Sequence, residues 1–362
     1  MLESGSDATN YEVARMRALT VEPGHANSIK LEEVPPPPES DGDILVRALA
    51  LGVCGTDREI ISGAYGWAPS GAKRLIIGHE SLGRVEAAPV GSGFAPGDLV
   101  VGIVRRPDPV PCPACSVDEW DMCSNGQYTE RGIKQRNGYG SEQFRVEHDF
   151  AVKLDPSLDK LGVLLEPTSV VAKAWEQVER IGQRGAAWQP RIVLITGAGP
   201  VGLLAALLAQ QRGYDVHILD LAKEGAKPKL ARDLGATYHA GDLGELEPDI
   251  VIECTGVASV VLDVMSCNAP EGIICLAGVS SGGHKLKFDI GALNRAMVLE
   301  NDVVFGSVNA NRRHYRAAAE ALAKADKTWL GRLITRRVPL DRWQEAFERR
   351  DDDVKTVVDF TQ

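Results

Sequence analysis

The sequence predicts an α/β fold in which a doubly wound parallel sheet is joined to a second, β-rich unit. Three observations carry this expectation. From about residue 191 to 308, short apolar runs alternate with helical patterns, which is the signature of parallel strands linked by crossover helices. Before residue 162 the chain instead shows short apolar or alternating runs punctuated by Gly and Pro, the texture of a twisted, partly closed antiparallel sheet. Third, a Gly-x-Gly-x-x-Gly stretch falls between an apolar strand run and an apolar helix run, at residues 197–202.

The elements follow in order. "MRALTV" and "GDILVRALALGV" read as strands, separated by the turn-rich "VPPPPESDGD". "SLGRVEAAPV", "GDLVVGIV" and "GYGSEQFRVEHDFAVKL" continue in that style. "LLEPTSVVAKAWEQVERIG" takes helical spacing in its later half, with Val171, Ala174, Trp175 and Val178 on one side. "RIVLITG" is a buried-strand run and "PVGLLAALLAQQRG" a helix that stops at Gly213. Strands at "DVHILD", "DIVIECTG" and "EGIICLAGV" alternate with helices at "KPKLARDLG" and "SVVLDVMSCNA", and "DVVFGSVNAN" adds a strand near 302–308. The change of texture and the mixed C-terminal stretch place a catalytic unit at 1–171 and 311–362, and a dinucleotide-binding unit at 172–310.

A length of 362 residues suits two domains with ample core, and 44% apolar and 25% charged residues are ordinary for a globular protein. A net charge of −10 without any basic run argues against a nucleic-acid partner. No run of eighteen apolar residues occurs, so no membrane span is expected. The polar start "MLESGSDATNYEVARM" lacks the pattern of a secretory signal and reads as a short mobile tail. Seven cysteines, an odd number that includes a C-x2-C pair, suit metal ligation in a reducing, cytoplasmic setting better than disulfides. Of these, Cys254, Cys267 and Cys275 lie in apolar stretches and read as core.

The glycine-rich stretch has a mechanism. Gly197 permits a tight turn, Gly199 lets a pyrophosphate approach the backbone, and Gly202 allows close helix–strand packing. Asp220, eighteen residues beyond Gly202 at the end of "HILD", is placed to accept hydrogen bonds from a ribose and to repel a 2′-phosphate. NAD is therefore favoured, with NADP open because Lys223 follows closely.

Cys54 in "GVCGTDREI", His79-Glu80 in "GHESLGRV" and Glu166 in "LLEPTS" are each unremarkable alone, since a lone Cys or His is usually core. Together they offer a thiolate, an imidazole and carboxylates, a set that suits tetrahedral zinc with one position open. A second cluster, Cys112-x2-Cys115-x7-Cys123, offers three thiols. Asp108 is near enough in sequence to complete a Cys3Asp site, and a reduced cysteine loop without metal is the alternative.

"GVCGTD", "GHESLGRV", "GFAPGDLV", "LLEP" and "GAGPVG" occur in the order and spacing of zinc-dependent medium-chain dehydrogenases/reductases, which this chain resembles from about residue 16 to its end. "CGTDREI", "QYTERGI", "LLEPTSVVAKAWE" and "GSVNAN" resemble the glucose dehydrogenase branch. The resemblance implies a GroES-like catalytic domain beside a Rossmann domain. It also implies NAD(P)-dependent oxidation of the C1 hydroxyl of an aldose such as D-glucose to the aldonolactone; a polyol, threonine or alcohol dehydrogenase of the same family is the alternative. Cys54, His79 and Glu80 match the catalytic zinc ligands, and Glu166 a position that binds the metal directly or through water. Thr56 would lie near the reacting hydroxyl, with Glu80 or Glu166 rearranging near the metal. Glu130 and Asn309 would hydrogen-bond the sugar, although Glu130 alone reads equally as a solvated loop carboxylate. Gly197, Gly199, Pro200, Val201, Gly202, Asp220, Lys223, Thr255, Gly278, Val279, Ser307 and Asn309 would line the coenzyme. The family's lobe zinc uses C-x2-C-x2-C-x7-C, but this chain has Pro109 where the first cysteine would fall. A homo-oligomer, dimer or tetramer, is expected, with the exposed sheet edge near "DVVFGSV" available to pair across a two-fold axis.

Overall fold

The computed structural model describes residues 15–280 and 285–362, so the polar tail expected to be mobile lies, through residue 14, outside the described residues. A six-stranded sheet runs in the order Thr237–Ala240, Asp215–Asp220, Ile192–Thr196, Ile250–Glu253, Ile273–Leu276, Val303–Gly306, and every neighbouring pair is parallel. The chain leaves the central strand Ile192–Thr196 toward one edge and then returns to build toward the other. A crevice therefore opens beyond the carboxyl ends of Ile192–Thr196 and Ile250–Glu253, which is where doubly wound sheets bind ligands. The central strand is apolar up to its last residue, Thr196, because both of its faces are covered. Val193 and Ile195 belong to the largest core cluster, while Leu194 packs with Val251 and Ile274 on the opposite side.

Four helices matter for the site: α1 (Gly55–Ile61), α2 (Leu165–Gly182), α3 (Pro200–Gln211) and α4 (Ala226–Asp233). Helix α2 starts earlier than its apolar spacing indicates and includes Glu166 and Pro167 in its first turn. Proline costs little there, because first-turn N–H groups have no intrahelical partner to lose. Trp175 of α2 is fully buried, stacks on Tyr214 and donates its indole N–H to the Ala205 carbonyl of α3 at 3.2 Å. Burial of a side chain of this kind contributes roughly 2–3 kcal/mol.

The β-rich unit is built on a seven-stranded sheet in the order Ala151–Lys153, Leu99–Gly102, Glu80–Ala87, Ile44–Val53, Lys355–Asp359, Ile334–Pro339, with Gln143–Val146 also pairing Ile44–Val53. The sheet is antiparallel except for its last pair: Ile334–Pro339 and Lys355–Asp359 run parallel. A short helix, Trp343–Phe347, supplies the crossover that parallel neighbours require, which is why alternation along single segments did not reveal it. The last strand lies against Ile44–Val53, so the C-terminus returns to the first sheet and delivers Lys355 beside Val53. The largest core cluster includes Ala50, Leu82 and Val101 of this sheet, Val193 and Ile252 of the parallel one, and α2 residues between them. No helix of the described residues is long and apolar enough to cross a membrane.

Candidate active site

Cys54, His79 and Glu80 meet where Ile44–Val53 runs into α1 and Glu80–Ala87 begins. One donor atom from each lies within 4.8 Å of the other two. Cys54 is the N-cap of α1. Its side chain accepts the Asp57 N–H, while the Asp57 carboxylate accepts the Cys54 N–H at 2.8 Å, a reciprocal capping arrangement that fixes the sulfur. The other oxygen of Asp57 lies 3.4 Å from His79 Nδ1, with both groups buried. That placement orients the imidazole and leaves Nε2 as the nitrogen available to a metal. Burial alone pushes the His79 pKa down, but Asp57 and Cys54 override it and raise it well above the usual range.

Glu80 pairs in register with Gly52, where a Cβ would come within 1.9 Å of the Glu80 carboxylate. Only glycine leaves room for that acid. The Glu80 carboxylate forms an ion pair with Lys355, whose ammonium also donates to the Val53 carbonyl at 3.1 Å. Burial opposes the charge on Lys355, yet Glu80, Cys54 and Glu166 raise its pKa. Glu166, half-buried in the first turn of α2, is pushed up to about 7, first by burial and then by Glu80 and Asp57 acting against His79 and Lys355. Sulfur, nitrogen and oxygen donors together fit a zinc ion. Thr56, half-buried, stands at the start of α1 two residues from Cys54.

The glycine-rich turn follows the central parallel strand. Gly199 is the N-cap of α3 and Pro200 its first residue, so free N–H groups of the first turn, including those of half-buried Val201 and buried Gly202, face the crevice. A Cβ on Gly202 would reach 1.8 Å from the Gly197 carbonyl, whereas one on Gly199 would meet nothing within 4 Å. Gly202 thus serves packing, and Gly199 leaves a space that a pyrophosphate fits. Asp220 accepts the Ala198 N–H at 2.7 Å and the Ala222 N–H at 3.0 Å, so it also holds the turn itself. Lys227 in the first turn of α4 lies 3.8 Å from it, whereas Lys223 is exposed. Fully buried Glu253 accepts the N–H groups of Thr255 and Gly256 and the Thr255 hydroxyl, which fixes the next loop. Gly278 packs so closely on Gly256 that a Cβ would come within 2.2 Å of its nitrogen, and Val279 beyond it is exposed. Ser307 is buried with an unpartnered hydroxyl, as a residue that bonds a bound coenzyme would be.

Glu130 and Asn309, 179 residues apart, meet: the Asn309 amide donates to Glu130 Oε1 at 2.8 Å. Arg105 donates to the same oxygen through Nε at 3.1 Å and Nη2 at 3.0 Å, and its guanidinium lies 3.7 Å over the Tyr128 ring. Glu130 is buried, not a solvated loop carboxylate.

The three lobe cysteines also converge, with their sulfurs within 4.8 Å of one another. Asp108 stands outside that set. Its carboxylate accepts the Val110 N–H at 2.9 Å and the Asn125 side-chain amide. N–H groups of Cys115 and Ser124 lower the Cys112 pKa to about 6, whereas burial and the neighbouring sulfurs push Cys115 up to about 11. Cys275 is buried, and Cys254 and Cys267 are half-buried.

Asp57, Lys355, Arg105, Lys227 and Glu253 are site residues that sequence reasoning missed. Only Asp57 carried a readable signal, the capping-box spacing Cys54-x-x-Asp57.

Residues 40–156 match the alcohol dehydrogenase GroES-like domain, and residues 159–360 match the glucose dehydrogenase C-terminus. A glucose 1-dehydrogenase of Vulcanisaeta moutnovskia is 38% identical over 356 residues, covering 96% of this chain and 100% of that protein. One from Thermoproteus tenax is 39% identical, covering 95% and 99%. Among solved structures, Haloferax mediterranei glucose dehydrogenase in complex with NADP, Zn and gluconolactone superposes with a TM-score of 0.88 at 33% identity, covering 96% of this chain and 100% of that one. The chain therefore belongs to the glucose 1-dehydrogenase family of zinc-dependent medium-chain dehydrogenases/reductases.

Proposed function

We propose that this protein oxidises the C1 hydroxyl of an aldose such as D-glucose to the aldonolactone, with hydride passing to NAD and, less readily, to NADP. The observation that carries this reading is the pairing of a zinc-type donor set with a buried Glu130–Asn309 clamp, because a polyol needs a partner for each hydroxyl it buries. The glucose 1-dehydrogenase relatives support it. Zinc held by Cys54, His79 and Glu80 supplies a Lewis acid that lowers the pKa of the hydroxyl. The nicotinamide supplies the hydride acceptor. The proton of the reacting hydroxyl would leave through Thr56, which would take it up while passing its own hydroxyl proton on to water, and Glu166 stands as a second carboxylate beside Glu80 and His79. Glu130 and Asn309 fix the hydroxyls away from C1, and the α3 N-terminus with Gly197, Gly199 and Gly202 takes the pyrophosphate. Asp220 reads the ribose, and Lys227 rather than Lys223 moderates its repulsion of a 2′-phosphate.

Three further assignments accompany the activity. The catalytic unit comprises 1–171 and 311–362 and the coenzyme unit 172–310, an assignment supported by the six parallel strands lying within 192–306. The cut falls inside the continuous helix α2. A second copy of this chain pairs with the edge strand Val303–Gly306, beside which Ile290, Val298 and Leu299 of helix Ile290–Glu300 are exposed. Seven unpaired cysteines suit a cytoplasmic site of action.

Initial rates with glucose, galactose, xylose, arabinose, threonine, a polyol and a simple alcohol, each with NAD and NADP, test the reading. Oxidation of the alcohols or threonine in preference to every aldose would overturn it. Asp220→Ala is expected to shift the NAD:NADP ratio of kcat/KM toward NADP by about tenfold.

A further inference from the structure

We propose that Asp121 is a positioning residue that ties both halves of the sugar clamp to one anchor in the cysteine lobe. The inference rests on the aldose reading above. Asp121 lies in the turn Trp120–Met122, two residues before Cys123, and its side chain is completely buried. Two chains of contact leave it.

The first runs to Glu130. The Asp121 carbonyl accepts from Arg105 Nη1 at 3.4 Å, and the same guanidinium grips Glu130 Oε1 with Nε and Nη2. The second runs to Asn309. Lys173 of α2 lies 3.0 Å from Asp121 Oδ2, donates to the Asp121 carbonyl at 3.1 Å and donates to the Val308 carbonyl at 3.0 Å. Asp121 Oδ1 accepts the Asn311 amide at 2.7 Å. Asn309 is therefore bracketed by Val308 and Asn311, both held from Asp121.

Asn309 itself sits in the left-handed region at φ +61°, a conformation that its neighbours must maintain. Its amide then closes the ring on Glu130 Oε1. All three donors converge on that one oxygen, so Oε2 remains the free acceptor that a sugar hydroxyl would use. Arg105, Glu130, Lys173, Asn311 and Asp121 are all buried, so losing one partner costs more here than at an exposed site. Taking the charge from Asp121 frees Lys173 to leave the Val308 carbonyl and lets Asn309 drift from Glu130.

Two variants of the full-length, metal-loaded enzyme test this: Asp121→Asn, and the double variant Asp121→Asn/Lys173→Met, which also removes the buried ammonium that would otherwise stand unpaired. Steady-state kinetics, calorimetric titration of gluconolactone into the enzyme–coenzyme complex, and Tm are read together. Both variants are expected to raise the glucose KM and the lactone Kd by about tenfold while kcat and the coenzyme KM stay near the parent values. The double variant should regain most of any lost Tm without regaining sugar affinity. A folded Asp121→Asn with parental glucose KM, or a coenzyme KM that rises in step with the glucose KM, would overturn the inference. Parent enzyme that oxidises no aldose would instead overturn the aldose reading, so the two failures are distinct.

Discussion

The Cys54–His79–Glu80 cluster and the Cys112–Cys115–Cys123 lobe hold metal-type donors in different ways. In the first, the donors come from separated stretches, and each has its own restraint: an N-cap geometry for Cys54, Asp57 behind His79, Lys355 beside Glu80. In the second, one short loop supplies every sulfur, and the residue nearest to being a fourth ligand, Asp108, is occupied by Val110 and Asn125. The contrast separates a cluster that several parts of the fold preorganise from one that a single loop holds together. The first cluster should govern turnover, and the second the firmness of the lobe that carries Asp121.

The strongest way to break this contrast is to remove a donor from the first cluster. Cys54→Ser or His79→Ala is expected to lower kcat by about a thousandfold or more, because the variant loses transition-state charge stabilisation worth several kcal/mol. Zinc per subunit should fall alongside. Parental turnover in zinc-free protein would end the catalytic assignment. Next in size is Asp57→Asn, which keeps the cap and removes the charge behind His79. Zinc affinity and kcat/KM should fall about 10–100-fold, measured by competition with a chelator and by initial rates.

These effects fall on residues that were unequally visible in the sequence. Five of the six parallel strands, three of the helices between them and the glycine turn were legible because apolar periodicity and turn chemistry are local signals, whereas the edge strand Thr237–Ala240, which has no apolar run, and helix Ile290–Glu300 were not. Cys54, His79 and Glu80 were legible as a set because their chemistry is unusual and shared. Lys355 was not: it lies 302 residues from Val53 in sequence, and only the return of the last strand brings it beside Glu80. Arg105 reads as half of an ordinary Arg-Arg pair until the fold buries it against Glu130. Asp220 was correctly placed at a strand end, but its hold on the Ala198 and Ala222 amides is a tertiary fact that spacing does not carry. Long-range pairing, more than element type, is what the sequence left out.

The lobe supplies the smaller tests. Metal analysis of the parent protein is expected to find two zinc ions per subunit, with the lobe ion leaving first to a chelator because its fourth ligand must be taken from Asn125. Cys115→Ser should remove that ion and lower Tm while changing kcat by no more than about twofold, in line with a structural site. A single zinc in the parent would make the lobe a metal-free thiol loop, and a large loss of kcat in Cys115→Ser would erase the distinction between the two clusters.

The finest discrimination lies in two buried histidines. His79 is oriented by Asp57 behind it, whereas His314, beside the Asp121 network, has its pKa pushed down to about 4 by burial, against the pull of Asp121 and Glu176. The Asn311 N–H donates to His314 Nδ1 at 3.1 Å, so the proton of the neutral ring sits on Nε2, 3.0 Å from Glu176. Unfolded, this histidine titrates near its ordinary value of about 6.5, so the unfolded chain binds the proton first. The contribution of His314 is therefore fully present above about pH 6.5 and is lost as pH falls toward 4, by up to about 3 kcal/mol. Calorimetric Tm measured across that window should decline in the parent and decline less steeply in His314→Gln, which cannot take up a proton. Parallel slopes would assign the decline to carboxylates elsewhere and leave the lobe face without a titrating group of its own.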